Sequence, residues 1–380
     1  MTLNESLELR LTRLRAARLR AGALLISNLA NVRYLTGFTG SAGLVIVTGS
    51  KAFFITDSRY GADALGDAGR MYETVILKGS PEKTAARICR RLKVGKLAFE
   101  KTASYAFYER LRRAFGADVA PLAGVVEGLR QAKDDYEINC IRGAVSRAEE
   151  AFRQVRGLLK LGVSEKALAV RLEEAILRQG SMKPAFPAIV ASGENSAVPH
   201  ARPTERKFQP GDLVVVDWGA EYEGYCSDMT RTFLIKGQKA SSGKDSRLAE
   251  KRRIYRIVLE AQAAAISFVQ RKYRKPGGEG KGAKDIDNSA RYVIKQAGYG
   301  EYFGHSLGHG VGLEVHEQPG ISPYRRGGGA LGGKPLVPKT VFTVEPGIYV
   351  PGLGGVRIED MVFLADPRPE VLTHLPKAGI

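Results

Sequence analysis

Cysteine is scarce in this chain: Cys89, Cys140 and Cys226 are the only three in 380 residues, and none forms a C-x-x-C pair. An odd, scattered set gives neither a disulfide framework nor a thiolate zinc site, which fits a reducing cytoplasm. Long apolar runs are missing too. The longest uncharged stretch, Tyr34 to Ser50, has 17 residues but is broken by Gly, Ser and Thr, so no membrane-spanning helix and no membrane partner are expected. Acid is in deficit, with 40 Asp and Glu against 58 Lys and Arg, a net charge of +18. That excess raises nucleic acid as a partner, but it is spread, +10 over residues 1–130 and +8 over the rest. The basic clusters Lys251–Arg253 and Arg271–Lys275 are short, and neither repeats or alternates with aromatic residues as a stacking platform would, so they read as solvated faces rather than a nucleic-acid surface.

What is present is an ordinary globular composition, 44% hydrophobic and 26% charged, at a length that predicts more than one domain. The start, Met1 to Ile26, reads as an amphipathic helix leading into a strand. ALLIS, NVRYLTGF, AGLVIVTGS and KAFFITD follow as short strands of a small α/β domain. Spaced apolar residues predict helices over about 133–159, 164–179 and 248–270. The expected boundary divides the chain into residues 1–128 and 129–380. Gln238–Asp245, Pro276–Lys284 and Arg325–Lys334 read as exposed loops.

Two pairs of acids stand out, each astride a turn. Asp217 ends the apolar run LVVVD, and Asp228 opens SDMTRTF. In an antiparallel hairpin, residues equally far from the turn face each other, and 217 and 228 are equidistant from Tyr222–Glu223. Glu345 and Glu359 are likewise equidistant from Gly352, in a second hairpin with a Pro/Gly turn. Facing carboxylates in apolar strands repel and lose hydration, so each pair demands a proton or a cation. Between the pairs lies HSLGHGVGLEVHE, with His305, His309 and His316 among glycines that allow close backbone approach. One imidazole with four carboxylates makes a mostly oxygen donor set suited to two divalent ions, whose charge would balance.

Taken together, NVRYLTGFTGSAG, ITDSRY, VVVDWGA, SDMTRTF, HSLGHGVGLEVHE, VEPGIY and GGVRIED resemble the two-metal pita-bread metallopeptidases, in the branch of Xaa-Pro aminopeptidases and prolidases. The resemblance spans nearly the whole chain. It implies an α/β (α+β) two-domain fold, with a creatinase-like α/β domain followed by a pita-bread domain whose antiparallel sheet is flanked by helices. Asp217, Asp228, His309, Glu345 and Glu359 would ligate two divalent metals, with Asp228 and Glu359 bridging. The ion would be Mn, with Co, Fe or Zn as alternatives. Glu345, His200 and His316 would be catalytic, Glu345 as the proton shuttle. His305, His200, His316 and Arg357 would bind substrate, with Arg357 also orienting carboxylates. Of the two histidines four residues apart, only His309 inherits the ligand role, because the glycines around them oppose a helix. Cys226 reads as a small buried residue and His374 as a surface residue. The implied activity is release of an N-terminal residue from Xaa-Pro peptides by a cytoplasmic homodimer. The alternative is a prolidase acting on Xaa-Pro dipeptides. Two more distant readings are a metal-free creatinase-like hydrolase and a non-catalytic basic binding protein.

Overall fold

The computed structural model describes residues 1–17, 21–61, 64–116, 118–237, 246–273, 282–323 and 336–377. The chain divides into two compact units, Met1–Arg130 and Gln131–Ile380. Of the expected loops, 238–245 and 325–334 fall outside the described residues, as does 276–281. Ala283 and Lys284, placed in the same loop by the sequence, instead begin the helix Ala283–Gln296.

The first unit is built on one mixed sheet of six strands, in the order Glu73–Ile76, Ala52–Thr56, Gly43–Thr48, Ala23–Ile26, Lys96–Glu100 and Asp118–Leu122. The pair Ala23–Ile26 and Gly43–Thr48 is antiparallel, and Lys96–Glu100 joins Ala23–Ile26 in parallel, the sense that a helical crossover permits. Leu25, Ile46, Phe53, Leu97 and Leu111 lie in its core. The opening helix, Leu3–Ala16, matches expectation. The NVRYLTGF segment does not: it is the helix Leu29–Thr36. Its Val, Tyr and Thr suggest a strand, but the ends decide. Asn28 Oδ1 accepts from the N–H groups of Ala30 (2.8 Å) and Asn31 (3.1 Å), and Gly37, at φ +74°, closes the last turn onto Arg33.

The second unit places antiparallel strands between two pairs of helices. Asp135–Val155 and Glu165–Arg178 pack one core, with Ile141, Val145, Phe152, Leu172, Val216 and Trp218. Ser246–Lys272 and Ala283–Gln296 pack the other, with Ile254, Val258, Ile286, Phe342 and Val356. Asp134 caps the first helix: its carboxylate accepts from Glu137 N (2.9 Å), while Glu137 accepts from Asp134 N (3.1 Å). Ile138, Ile141, Val145, Ala148, Phe152 and Val155 then recur at helical spacing on the buried face. Trp218, fully buried, stacks on Phe152 at 4.5 Å and donates from its indole to Ala148 O (2.9 Å), which pins the strand Leu213–Trp218 to that helix. These sheets flanked by helices, following an α/β unit, are the two-domain fold that the sequence implies.

Candidate metal centre

Asp217 lies in Leu213–Trp218, which pairs with Met229–Leu234 so that Asp217 faces Thr230. The expected partner was Asp228. The difference arises at the turn, whose two central residues are Glu223 (φ +50°) and Gly224 (φ +80°), one position later than the sequence suggested. Two residues with positive φ make the tight hairpin turn whose twist matches its strands. The register moves by two residues, so side chains keep their faces and Asp228 is offset along the ribbon. The second hairpin follows its expected register. Val341–Val344 pairs with Asp360–Phe363, and Gly347–Val350 with Gly354–Arg357, in two separate sheets that share one register, so position 345 falls opposite 359 in the break between them.

His309 comes from a separate short strand, Gly308–Gly310, rather than a helix. A Cβ at Gly308 would lie 1.9 Å from Thr343 O, and one at Gly310 would lie 2.2 Å from Gln318 O, so only glycine lets the neighbouring strands close on this histidine. Side-chain atoms of Asp228, His309 and Glu359 come within 4.8 Å of one another. His309 Nε2 is 3.6 Å from Asp228 Oδ2 and 3.3 Å from Glu345 Oε1. Its Nδ1 donates to Gly310 O at 3.1 Å, which turns Nε2 toward the carboxylates, where a bound cation would replace its proton. Asp217 belongs to the same group: its charge and those of Glu359 and Glu345 all act on Asp228.

The electrostatics record what the sequence demanded. Burial first, then the charges of Glu359, Asp217 and Glu345, push the Asp228 carboxyl far above its ordinary range. Glu359 is raised well above its own by burial and by Glu345 and Asp217. Burial also raises Asp217, against the opposing charge of Arg357. Burial acts to raise Glu345 as well, but the hydrogen bond and charge of His309 outweigh it and hold the carboxyl low; His309, lowered by burial, is raised on balance by Glu345. Asp217 Oδ1 is buried with no hydrogen-bond partner among the described residues. An orphaned carboxylate oxygen beside three more carboxylates and an imidazole nitrogen is a donor set that fits divalent cations.

A linkage prediction follows. Asp228, Glu359 and Asp217 bind protons more tightly folded than unfolded, so without metal they weaken the fold as pH rises from about 4 through their raised folded values. His309, also raised, has the same sign; Glu345, held low, has the opposite sign. Divalent ions compete with these protons. The gain in melting temperature on adding Mn²⁺ to metal-free protein should therefore grow between pH 5 and pH 8. A gain independent of pH would contradict this charge assignment.

Arg357 is buried, and its donors are spent inside the protein. Nη2 donates to Asp217 Oδ2 (2.7 Å), Nε to Thr230 Oγ1 (3.1 Å), and Nη1 to Tyr349 OH (3.0 Å) and Pro199 O (3.1 Å). It is thereby tied to Asp217, Thr230 and Tyr349 at once. His305 is also engaged at both nitrogens, with Nδ1 at 2.8 Å from Ser306 O and Nε2 at 3.0 Å from Tyr349 OH. His316 stands beside His309, ring centroids 4.1 Å apart, and its pKa is lowered by burial and by the neighbouring imidazoles of His309 and His200. Both His200 and His316 are exposed. Cys226 is buried, its thiol pushed up to about 12 by burial, and His374 is exposed.

Three contributors escaped the sequence reading. Thr230 donates to Glu359 Oε2 (2.7 Å) while accepting from Arg357, Thr343 donates to Glu345 Oε1 (3.3 Å), and Tyr349 joins His305 to Arg357. The signal for Tyr349 lay in its glycines, since a Cβ at Gly347 would meet its hydroxyl at 2.5 Å.

Comparison with known proteins agrees with this centre. The profile of metallopeptidase family M24 matches residues 139–366, and that of the creatinase/prolidase N-terminal domain matches residues 10–132. The uncharacterized peptidase YqhT of Bacillus subtilis (strain 168) is 41% identical over 360 residues, 94% of each chain. Among solved structures, an Xaa-Pro dipeptidase from Bacillus anthracis superposes with a TM-score of 0.87 at 37% identity, covering 98% of this chain and 99% of that one. An X-Pro aminopeptidase from Thermotoga maritima MSB8 superposes with a TM-score of 0.81 at 35% identity, covering 98% of each. With its catalytic unit matched by the family profile and nearly its whole length by these relatives, the chain belongs to metallopeptidase family M24.

Proposed function

We propose that this hydrolase is a dinuclear metal-dependent Xaa-Pro aminopeptidase, which removes one residue from the N-terminus of peptides whose second residue is proline. One observation carries the reading: four acids and His309 converge in a buried cluster in which Asp217 Oδ1 has no partner among the described residues. Asp217, Asp228, His309, Glu345 and Glu359 would hold two divalent ions, with Asp228 and Glu359 shared between them and Mn²⁺ as the resident species. Bound there, such ions lower the pKa of a water and polarise the scissile carbonyl.

The protein's own groups do the rest. Arg357 and Thr230 hold Asp217 and Glu359 in place, so the ligand geometry is set before substrate arrives. Glu345 accepts a proton from the attacking water and returns it to the proline nitrogen, which must leave as an amine. His200 and His316, exposed beside the cluster, offer imidazole N–H groups to the carbonyl oxygen as it gains charge. His305 serves by holding Tyr349 against Arg357. Proline offers no N–H and fixes φ, which defeats proteases that read main-chain hydrogen bonds; a site built on carboxylates and imidazoles needs no such bond. The intact set of five speaks against a metal-free creatinase-like reaction. A homodimer in the cytoplasm completes the proposal; the three free buried cysteines fit that compartment, and among the described residues no helix is long and apolar enough to cross a membrane.

A second reading, cleavage of Xaa-Pro dipeptides only, is favoured by the likeness to the Bacillus anthracis dipeptidase. Hydrolysis of Gly-Pro and Gly-Pro-Ala, each with Mn²⁺, Co²⁺ or Zn²⁺, separates the two. The aminopeptidase reading expects kcat/KM for the tripeptide to equal or exceed that for the dipeptide. Cleavage of Gly-Pro alone would replace it with the dipeptidase reading.

A further inference from the structure

The loop that carries His200 leaves the strand Ile189–Ser192, makes the 3-10 turn Gly193–Ala197 and returns at Thr204. Both of its ends land on one carboxylate. Glu165, the first residue of the helix Glu165–Arg178, is fully buried. Its Oε1 accepts from Ser192 N (2.7 Å), Ser192 Oγ (2.7 Å) and Asn195 Nδ2 (3.1 Å). Its Oε2 accepts from Thr204 N (2.9 Å), Thr204 Oγ1 (2.6 Å) and, at 3.2 Å, the same Asn195 amide. The helix backbone grips the returning strand of the loop as well, with Glu165 N donating to Arg206 O (3.1 Å) and Lys166 N to Thr204 O (3.0 Å). Arg206 Nη1 braces the base from the other side, donating to Ser192 Oγ (2.6 Å) and Asp212 Oδ2 (2.5 Å).

A buried carboxylate is costly unless donors surround it, and here every donor comes from the loop. Further along, Gly355 N donates to Ser196 Oγ (2.8 Å) and Arg357 Nη1 to Pro199 O (3.1 Å), which ties the flank of the loop to the strand leading to Glu359. The chain is thus fixed at its base and along one side, leaving the exposed His200 imidazole at the end of a braced arm.

We propose that Glu165 is a positioning residue for His200. By holding residues 192 and 204 to one carboxylate it fixes the approach of the imidazole to the scissile carbonyl, and it acts on the reaction through that histidine. The inference rests on the role given to His200 above. Glu165→Gln keeps the volume but turns one acceptor oxygen into a donor facing a backbone N–H that cannot rotate away.

The test is a double-mutant cycle on Gly-Pro-Ala hydrolysis with Mn²⁺, with metal content and melting temperature measured for every variant. Glu165→Gln should lower kcat by about 10-fold to 100-fold, the scale of a misplaced catalytic group, with both ions retained. In the His200→Ala background the same substitution should change kcat by no more than about twofold. Equal losses in the two backgrounds would overturn the inference. A His200→Ala variant with unchanged kcat would instead overturn the role of His200. Should Glu165→Gln fail to fold, Thr204→Val removes only the Oγ1 donor; its loss should be smaller and again vanish without His200, and a loss that persists there overturns the inference.

Discussion

Glu345→Gln is expected to lower kcat on Gly-Pro-Ala by about 10²- to 10⁴-fold, the usual contribution of a positioned acid–base group, with KM little changed. In the metal-free protein the carboxylate is the one acid of the cluster held low, first by the protonated His309 3.3 Å away, which marks it as the acid most readily ionised and able to take a proton. The amide keeps an oxygen for a cation and for Thr343 but cannot accept and release a proton. Ion content measured on the same sample separates the two roles of this side chain. Two retained ions with lost turnover assign the fall to proton transfer, whereas lost ions with activity recovered in excess Mn²⁺ assign it to ligation. Full turnover would remove Glu345 from the mechanism.

Asp228→Asn should have an equally large effect on activity and the opposite effect on the metal-free fold. Asp228 is buried among three other acids whose charges all raise its pKa; Arg357 opposes them, and a proton or a bound cation offsets what remains. Removing one negative charge from the cluster should abolish stoichiometric metal binding and lower kcat/KM by about 10³-fold or more, since the role proposed for it is shared by both ions. The same change relieves repulsion in the metal-free chain, which should then melt several degrees above metal-free parent, while the stabilisation gained with Mn²⁺ shrinks. Thermal unfolding with and without metal reads both arms. A metal-free variant less stable than its parent would mean that Asp228 is held by protein donors rather than poised for a cation.

The sequence made this centre legible because its acids sit at strand positions whose partners follow from counting. Positions 345 and 359 fall opposite each other because the pairings on either side of them, 341–344 with 360–363 and 347–350 with 354–357, keep one register. The same counting misplaced Asp217 by two residues, since the spacing of acids does not reveal which two residues will adopt positive φ at the turn; Glu223 and Gly224 do. The error left the face intact because side chains alternate with a period of two. Residues 29–36 were misread for a different reason. Their composition favours a strand, and the Asn28 cap and the Gly37 stop act through backbone geometry that composition does not report. The long helices were plain from their apolar spacing. The groups that fasten the site, Thr230, Tyr349 and Glu165, were hidden because their partners Glu359, His305 and Ser192 lie 129, 44 and 27 residues away along the chain, beyond any local pattern.

The central claim is that one buried cluster of acids and an imidazole exists to hold cations and that hydrolysis depends on them. Elemental analysis by plasma mass spectrometry, on protein stripped with chelator, reloaded with Mn²⁺ and desalted, tests this directly when paired with Gly-Pro-Ala hydrolysis on the same samples. The account predicts two ions per chain after reloading, none after stripping, and turnover that rises with occupancy. Cleavage at full rate by the stripped chain, or reloading that leaves no bound ion in an active protein, would contradict it.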